Sequence, residues 1–322
     1  LCETQIGHDE FGKEVHGYSP AFTEKDVNEL LPLATHFYFN SEAQLRAFMP
    51  LVKSAGKKIA IRVNPGYSKA TLGGNLYDPC APNSRFGVTQ DKLDTLPWDD
   101  IDILHCHALC EADHNGSKNL IAHVAGTLSP YIAQVETVNF GGGHFINDKD
   151  YDTDVLIAAI KSFKETFPHV SVTLEPGGGI VRDTGYYATR IMDIVDNGQY
   201  KIAVIDGSVC NHMPDVLEVP YVPEIIGTTG GPHKYIIGGN TCMTGDLIQR
   251  VEDDGKIIAP YGFDAPLKPG DMLVMTDMMQ YSFIKMNSFN GIRLPDLGML
   301  HEDGRYEMIK SFGYDAFRGN LG

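Results

Sequence analysis

Six short apolar runs, each closing on small or polar residues, constrain this chain more than any other feature. They fall at 15–20 (VHGYSP), 36–40 (HFYFN), 59–65 (IAIRVNP), 101–109 (IDILHCHAL), 135–143 (VETVNFGGG) and 170–178 (VSVTLEPGG). Between several of them, at 41–55, 118–128 and 151–167, apolar residues recur at the i, i+3, i+4 spacing of a helix face. Strands that alternate with helices pair in parallel, because each helix carries the chain back to the same end of the sheet. Six strands are two short of a closed (β/α)8 barrel, a fold whose active sites lie at the C-terminal strand ends. The expected fold is therefore α/β, a TIM-type barrel whose first two strands are missing.

Beyond about residue 200 the texture changes. Gly/Pro punctuation becomes dense, as in Thr228-Thr229-Gly230-Gly231-Pro232, and the strand-like runs at 234–238, 271–276 and 281–286 have no long helical partner. Such a pattern reads as an antiparallel β domain. The expected organisation is a barrel domain over 1–200 and a C-terminal β domain over 201–322.

Charge and cysteine usage narrow the function. With 26 Lys+Arg against 42 Asp+Glu, the net charge of -16 disfavours a nucleic-acid partner. A negative surface is ordinary for a cytoplasmic enzyme, and it also suits a polycationic substrate. No apolar run reaches the ~18 residues of a membrane helix. Six cysteines in 322 residues, without a C-x-x-C pair, are too sparse for a disulfide scaffold.

Several motifs carry chemistry at the strand ends. Gly141-Gly142-Gly143 lets backbone amides approach a phosphate, although it also serves as a plain turn. Glu175-Pro176-Gly177-Gly178-Gly179 adds a carboxylate and a second glycine nest on the next strand, and the pair together points to a phosphate-bearing cofactor. His105 and His107 share one strand face, which leaves three readings open: a metal pair, core histidines, or an imidazole stacked on a flat cofactor. Cys242 and Asp246 lie in the loop Gly238-Gly239-Asn240-Thr241-Cys242-Met243-Thr244-Gly245-Asp246. There Cys242 is either a small buried residue or an acid/base group.

Taken in order, the strand-end His, the glycine triplet, Glu-Pro-Gly and the Cys…Asp loop resemble the alanine-racemase-like (fold type III) pyridoxal-phosphate decarboxylases. The carboxynorspermidine/carboxyspermidine branch is the one most resembled. Its marks are Leu76-Tyr77-Asp78-Pro79-Cys80-Ala81-Pro82, Ser84-Arg85-Phe86-Gly87, Gly143-His144, Ser288-Phe289-Asn290-Gly291 and, most specifically, His212-Met213-Pro214-Asp215-Val216-Leu217-Glu218. The resemblance implies pyridoxal 5'-phosphate as cofactor and no metal. Glu175 would pair with the pyridine nitrogen and His107 would stack on the ring. Gly141, Gly142, Gly143, Gly177, Gly178 and the Tyr281 hydroxyl would hold the phosphate. Cys242, delivered across a homodimer interface, would return a proton after CO2 leaves. Asp215, Glu218 and Asp246 are implied for the cationic amine tail of a polyamine carboxylate, and Arg85 for a carboxylate. Gly178 stands where the branch is expected to carry a Glu that contacts substrate.

The family's Schiff-base lysine is not at any of the six strand ends, and the chain opens Leu1-Cys2-Glu3. The expectation is an N-terminally truncated copy, lacking about 60–70 residues at ~30 per strand–helix unit. Three rivals stand beside this reading: a diaminopimelate- or ornithine-type decarboxylase, a catalytically dead regulatory homologue, and a zinc hydrolase. Residues 1–322 expressed alone are expected to release no CO2 from a carboxylated polyamine; robust turnover overturns the truncation reading.

Overall fold

The computed structural model describes residues 1–70, 77–219, 221–252 and 254–321. Leu76, the first residue of the Leu76–Pro82 motif, lies outside them. The chain forms two compact units, Leu1–Ile180 and Val181–Gly322.

The first unit is built on six parallel strands in the order β1 (His16–Tyr18), β2 (His36–Phe39), β3 (Lys58–Arg62), β4 (Ile103–His105), β5 (Thr137–Asn139) and β6 (Ser171–Thr173). Sequence order and spatial order coincide, as expected when each crossover returns the chain to the neighbouring position. These are the six runs read from the sequence, and β1 and β6 form the two edges. The helices α1 (Glu42–Ser54), α2 (His114–Thr127) and α3 (Thr153–Thr166) supply three of the five crossovers. Each starts on a side chain that accepts an otherwise unpaired amide: Ser41 from Gln44 N–H, Asp113 from Gly116 N–H and Asp152 from Asp154 N–H.

Alternation along the strands divides their side chains between two faces. Phe37, Phe39, Ile59, Ile61, Leu104 and Val138 pack with Leu45, Val52, Leu120, Val124 and Phe163 from the helices in one large apolar core. The opposite face carries a small cluster of Tyr38, Ala60 and Ile103 with polar rows above and below it.

The second unit centres on a sheet ordered β10 (Leu247–Ile248), β9 (His233–Gly238), β8 (Lys201–Ile205), β7 (Tyr187–Asp196) and β12 (Met272–Met275), with β11 (Tyr261–Phe263) pairing the first half of β9. All pairings are antiparallel except β8 with β9, which is parallel. A separate hairpin joins β13 (Leu297–Leu300) to β14 (Tyr306–Lys310).

Two details differ from the sequence reading. The units divide at Ile180/Val181 rather than at 200/201, because β7 pairs with β8 and β12 and so belongs to the second sheet. The aromatic, β-branched run at 281–286 is not a strand: Tyr281–Ile284 forms a single helical turn. No helix among the described residues is long and apolar enough to cross a membrane.

Phe37 is fully buried in the first core. Phe37→Ala is expected to destabilise that unit by about 3–5 kcal/mol, the cost of a large cavity; the shift in urea midpoint at constant m-value measures it.

Candidate active site

Register decides which side chains meet on the inner face. The pairings Arg62↔His105, His105↔Asn139 and Asn139↔Thr173 set these four residues in one row near the C-terminal strand ends. Glu175 follows two residues beyond β6, and its N–H donates to Gly141 O at 2.8 Å.

Asn139 organises the row. Its Nδ2 donates to Glu175 Oε1 at 2.7 Å and to Tyr38 Oη at 3.0 Å, while its Oδ1 accepts from Gly141 N–H at 2.8 Å. The other carboxylate oxygen of Glu175 stands 3.4 Å from His105 Nε2, longer than a well-formed hydrogen bond. Burial opposes ionisation of Glu175, but the His105 and Asn139 contacts outweigh it and hold the carboxyl down at about 2. Glu175 is therefore an anion throughout the physiological range.

The two histidines differ. His105 is buried between the edges of the Tyr18 and Tyr38 rings, with centroids 6.1 and 5.2 Å away. Burial lowers its pKa, so it is a neutral core imidazole. His107 Nδ1 accepts the Gly142 N–H at 3.2 Å, which places the ring proton on Nε2. Burial first, and then the Arg62 charge, hold His107 down at about 3.

Arg62, which sequence reasoning missed, is buried at the end of β3. It donates to Tyr18 Oη at 2.7 Å and to His107 O at 3.1 Å, and its guanidinium covers the Phe86 ring at 4.3 Å. Among the described residues no carboxylate forms an ion pair with it. An arginine closing the apolar run Ile59–Val63 was the available signal, because a charge there must either leave the sheet or find acceptors within it.

The glycine triplet passes directly over His107. At Gly141 (φ +68°) a Cβ would lie 2.5 Å from His107 Cβ, and at Gly143 (φ +82°) 2.2 Å from Leu109 O. Both positions require glycine for close approach and for backbone conformation. The amides of Gly141 and Gly142 already donate inside the protein, so the triplet is not a set of three free donors. Beside Gly177 the space is open, with nothing within 4 Å of where a Cβ would sit, and Gly178 opens the short helix Gly178–Val181.

The second unit holds the remaining candidates. Asp246, expected to meet a cationic amine, is buried and fully engaged. Its Oδ1 accepts from Val209 N–H (2.6 Å), Cys210 N–H (3.0 Å) and Ser208 Oγ (3.1 Å), and its Oδ2 from Thr241 Oγ1 (2.6 Å). It closes a loop and has no face left for a substrate. Asp215 is also buried; its Oδ2 accepts from the Tyr221 and Ser282 hydroxyls at 2.7 and 2.9 Å, and its Oδ1 has no partner among the described residues. Glu218 pairs with Lys285. Cys242 is exposed, with Asn290 Nδ2 3.4 Å from its sulfur. Tyr281 is exposed at the start of its helical turn, under the Lys285 ammonium. In the first unit Arg85 is exposed and lies over the Phe86 ring at 4.4 Å.

These charges dictate an acid response. Glu175 sits below its ordinary value of 4.5, so it contributes stability above that pH which is lost as pH falls toward about 2. His107, held at about 3 against an ordinary 6.5, stays neutral in the fold while the unfolded chain protonates, so it too removes stability as pH falls from 6.5 to 3. The urea midpoint is expected to drop steadily on acidification. Glu175→Gln should flatten the profile below pH 4.5 and His107→Gln between 6.5 and 3; parallel profiles for all three proteins refute the assignment.

The family model described as "Pyridoxal-dependent decarboxylase, C-terminal sheet domain" matches residues 36–279. A carboxyaminopropylagmatine decarboxylase of Synechocystis sp. is 36% identical over 326 residues, spanning 100% of this chain and 81% of the relative. A carboxynorspermidine/carboxyspermidine decarboxylase of Campylobacter jejuni is 34% identical over 331 residues, 98% of this chain and 82% of the relative. The crystal structure of the Campylobacter jejuni carboxynorspermidine decarboxylase complexed with norspermidine superposes with a TM-score of 0.85 at 32% identity, covering 99% of this chain and 84% of that one. The chain belongs to the family of pyridoxal-dependent decarboxylases.

Proposed function

We propose that the protein decarboxylates a carboxylated polyamine, carboxynorspermidine or carboxyspermidine, releasing norspermidine or spermidine in polyamine biosynthesis. The observation that carries this reading is the carboxylate of Glu175, held by Asn139 beside the strand-end histidines and kept ionised near neutral pH. Pyridoxal 5'-phosphate, when bound, supplies an electron sink for the pair left behind by CO2. With that group bound, the Glu175 anion would keep the ring nitrogen protonated, as such a sink requires. The residues fit that group in two further ways. The neutral His107 ring is fixed in plane by the Gly142 N–H and offers a flat face, and the open space beside Gly177 leaves room for a phosphate. The six strands end on Tyr18, Phe39, Arg62, His105, Asn139 and Thr173, so the lysine that takes the cofactor's aldehyde is not among them.

The chain's own groups then divide the work. In the first unit Glu175 and His107 would orient the cofactor, and Gly143, Gly177 and Gly178 would hold its phosphate; in the second, Tyr281 would offer the phosphate its hydroxyl. Cys242 donates a proton to carbon from an exposed thiol positioned by Asn290. Asp215, with one carboxylate oxygen unpartnered, and Glu218 receive the ammonium groups of the substrate, and Arg85 its carboxylate. The protein acts as a homodimer in the cytoplasm: Leu300, Tyr306, Met308 and Ile309 leave an apolar hairpin exposed, and all six cysteines are free thiols. A second reading is favoured by the 36% identical relative: a carboxyaminopropylagmatine, whose guanidinium would meet the same acidic groups.

The test uses protein expressed from its complete coding sequence and supplied with pyridoxal 5'-phosphate. CO2 release is compared for carboxynorspermidine, carboxyspermidine, carboxyaminopropylagmatine and diaminopimelate. Turnover of the first two is expected; exclusive use of carboxyaminopropylagmatine selects the second reading, and exclusive use of diaminopimelate rejects both. Cys242→Ala is expected to lower kcat about 10²–10⁴-fold, the range for a lost general acid, with cofactor absorbance unchanged.

A further inference from the structure

At the opposite end of the same inner face lies a second group of ligating side chains. The register His16↔His36↔Lys58 sets the first residues of β1, β2 and β3 in a row. Lys58 is tied to Asp102 at 2.8 Å and Glu136 at 2.7 Å, so its charge is locally neutralised. His16 and His36 face each other with ring centroids 4.1 Å apart, and Glu14 joins them. One ligand atom from each of the three lies within 4.8 Å of the others.

We propose that Glu14, His16 and His36 bind a divalent transition-metal ion of the zinc class, pinning the edge strand β1 to β2.

Two imidazoles and a carboxylate form a common donor set for zinc, with a fourth position left for water. Ligating histidines need their second nitrogen held by an outer partner, and both have one. His36 Nδ1 lies 2.8 Å from Thr35 Oγ1, whose own proton is directed to Val15 O at 2.9 Å. The hydroxyl oxygen therefore accepts from His36 Nδ1–H, and the lone pair is left on Nε2. His16 Nδ1 lies 3.0 Å from Tyr38 Oη, a phenol held from its other side by Asn139 Nδ2. The strand-end trio His105, His107 and Glu175 is similarly close, but the Gly142 amide occupies His107 Nδ1 and Asn139 occupies Glu175 Oε1.

The test is equilibrium dialysis of chelator-stripped protein against zinc alone, with elemental analysis, and a parallel cobalt titration followed by visible d–d absorption. Wild type is expected to retain one equivalent and to unfold at a higher temperature with zinc than without. His36→Gln and Glu14→Gln are each expected to weaken binding ~100-fold or more, consistent with loss of one of three protein ligands, and to abolish the thermal shift. His107→Gln should bind as wild type. Glu14 is exposed, so its variant keeps the fold even where a histidine variant does not. Substoichiometric uptake by wild type, or undiminished binding by Glu14→Gln and His36→Gln, overturns the proposal.

Discussion

One side-chain amide holds the candidate site in place. Asn139 is fully buried, and its nitrogen and oxygen reach β2, the glycine turn and Glu175 at once. A buried amide left with an unpaired group costs roughly 1–3 kcal/mol, so these partners specify one another. Fixing Gly141 also fixes the path over His107, since no Cβ fits there. The position of the carboxylate, the plane of the imidazole and the route of the turn therefore depend on one residue that touches no solvent.

The inner face is stratified. A polar row containing Arg62, His105 and Asn139 sits at the strand ends, Tyr38, Ala60 and Ile103 form an apolar layer beneath it, and His16, His36 and Lys58 line the starts. Tyr38 spans the layer, bonding His16 on one side and Asn139 on the other. Its phenol is driven up to about 12 by burial and so remains a neutral link between two polar zones. Barrel interiors are packed layers rather than pores, and here the layering keeps the strand-end row apart from the histidines at the strand starts.

The second unit shows why a carboxylate in a suggestive loop is weak evidence for binding. Asp246 terminates the amides of the 209–210 turn and the Thr241 loop, which makes it a structural clamp. Asp215 differs in keeping one buried oxygen unpartnered. Both are buried carboxylates, and only the surrounding donors separate their roles.

The linear sequence determined the six strand runs, their helices and the chemistry at their ends, because period-two and period-3.6 apolar patterns and glycine requirements are local properties of the chain. It could not show that β7 joins the second sheet: its burial alternates too weakly, with most side chains exposed. It also mistook 281–286 for a strand, since Tyr281, Phe283 and Ile284 favour strands until packing overrides that preference. Arg62 and Asn139 went unnoticed as site residues because only strand register sets them beside His105. The engagement of Asp246, and the meeting of Glu14 with His16 and His36, were likewise decided by tertiary structure, since hydrogen-bond partners and ligand geometry come from residues distant in the chain that only the fold brings within reach.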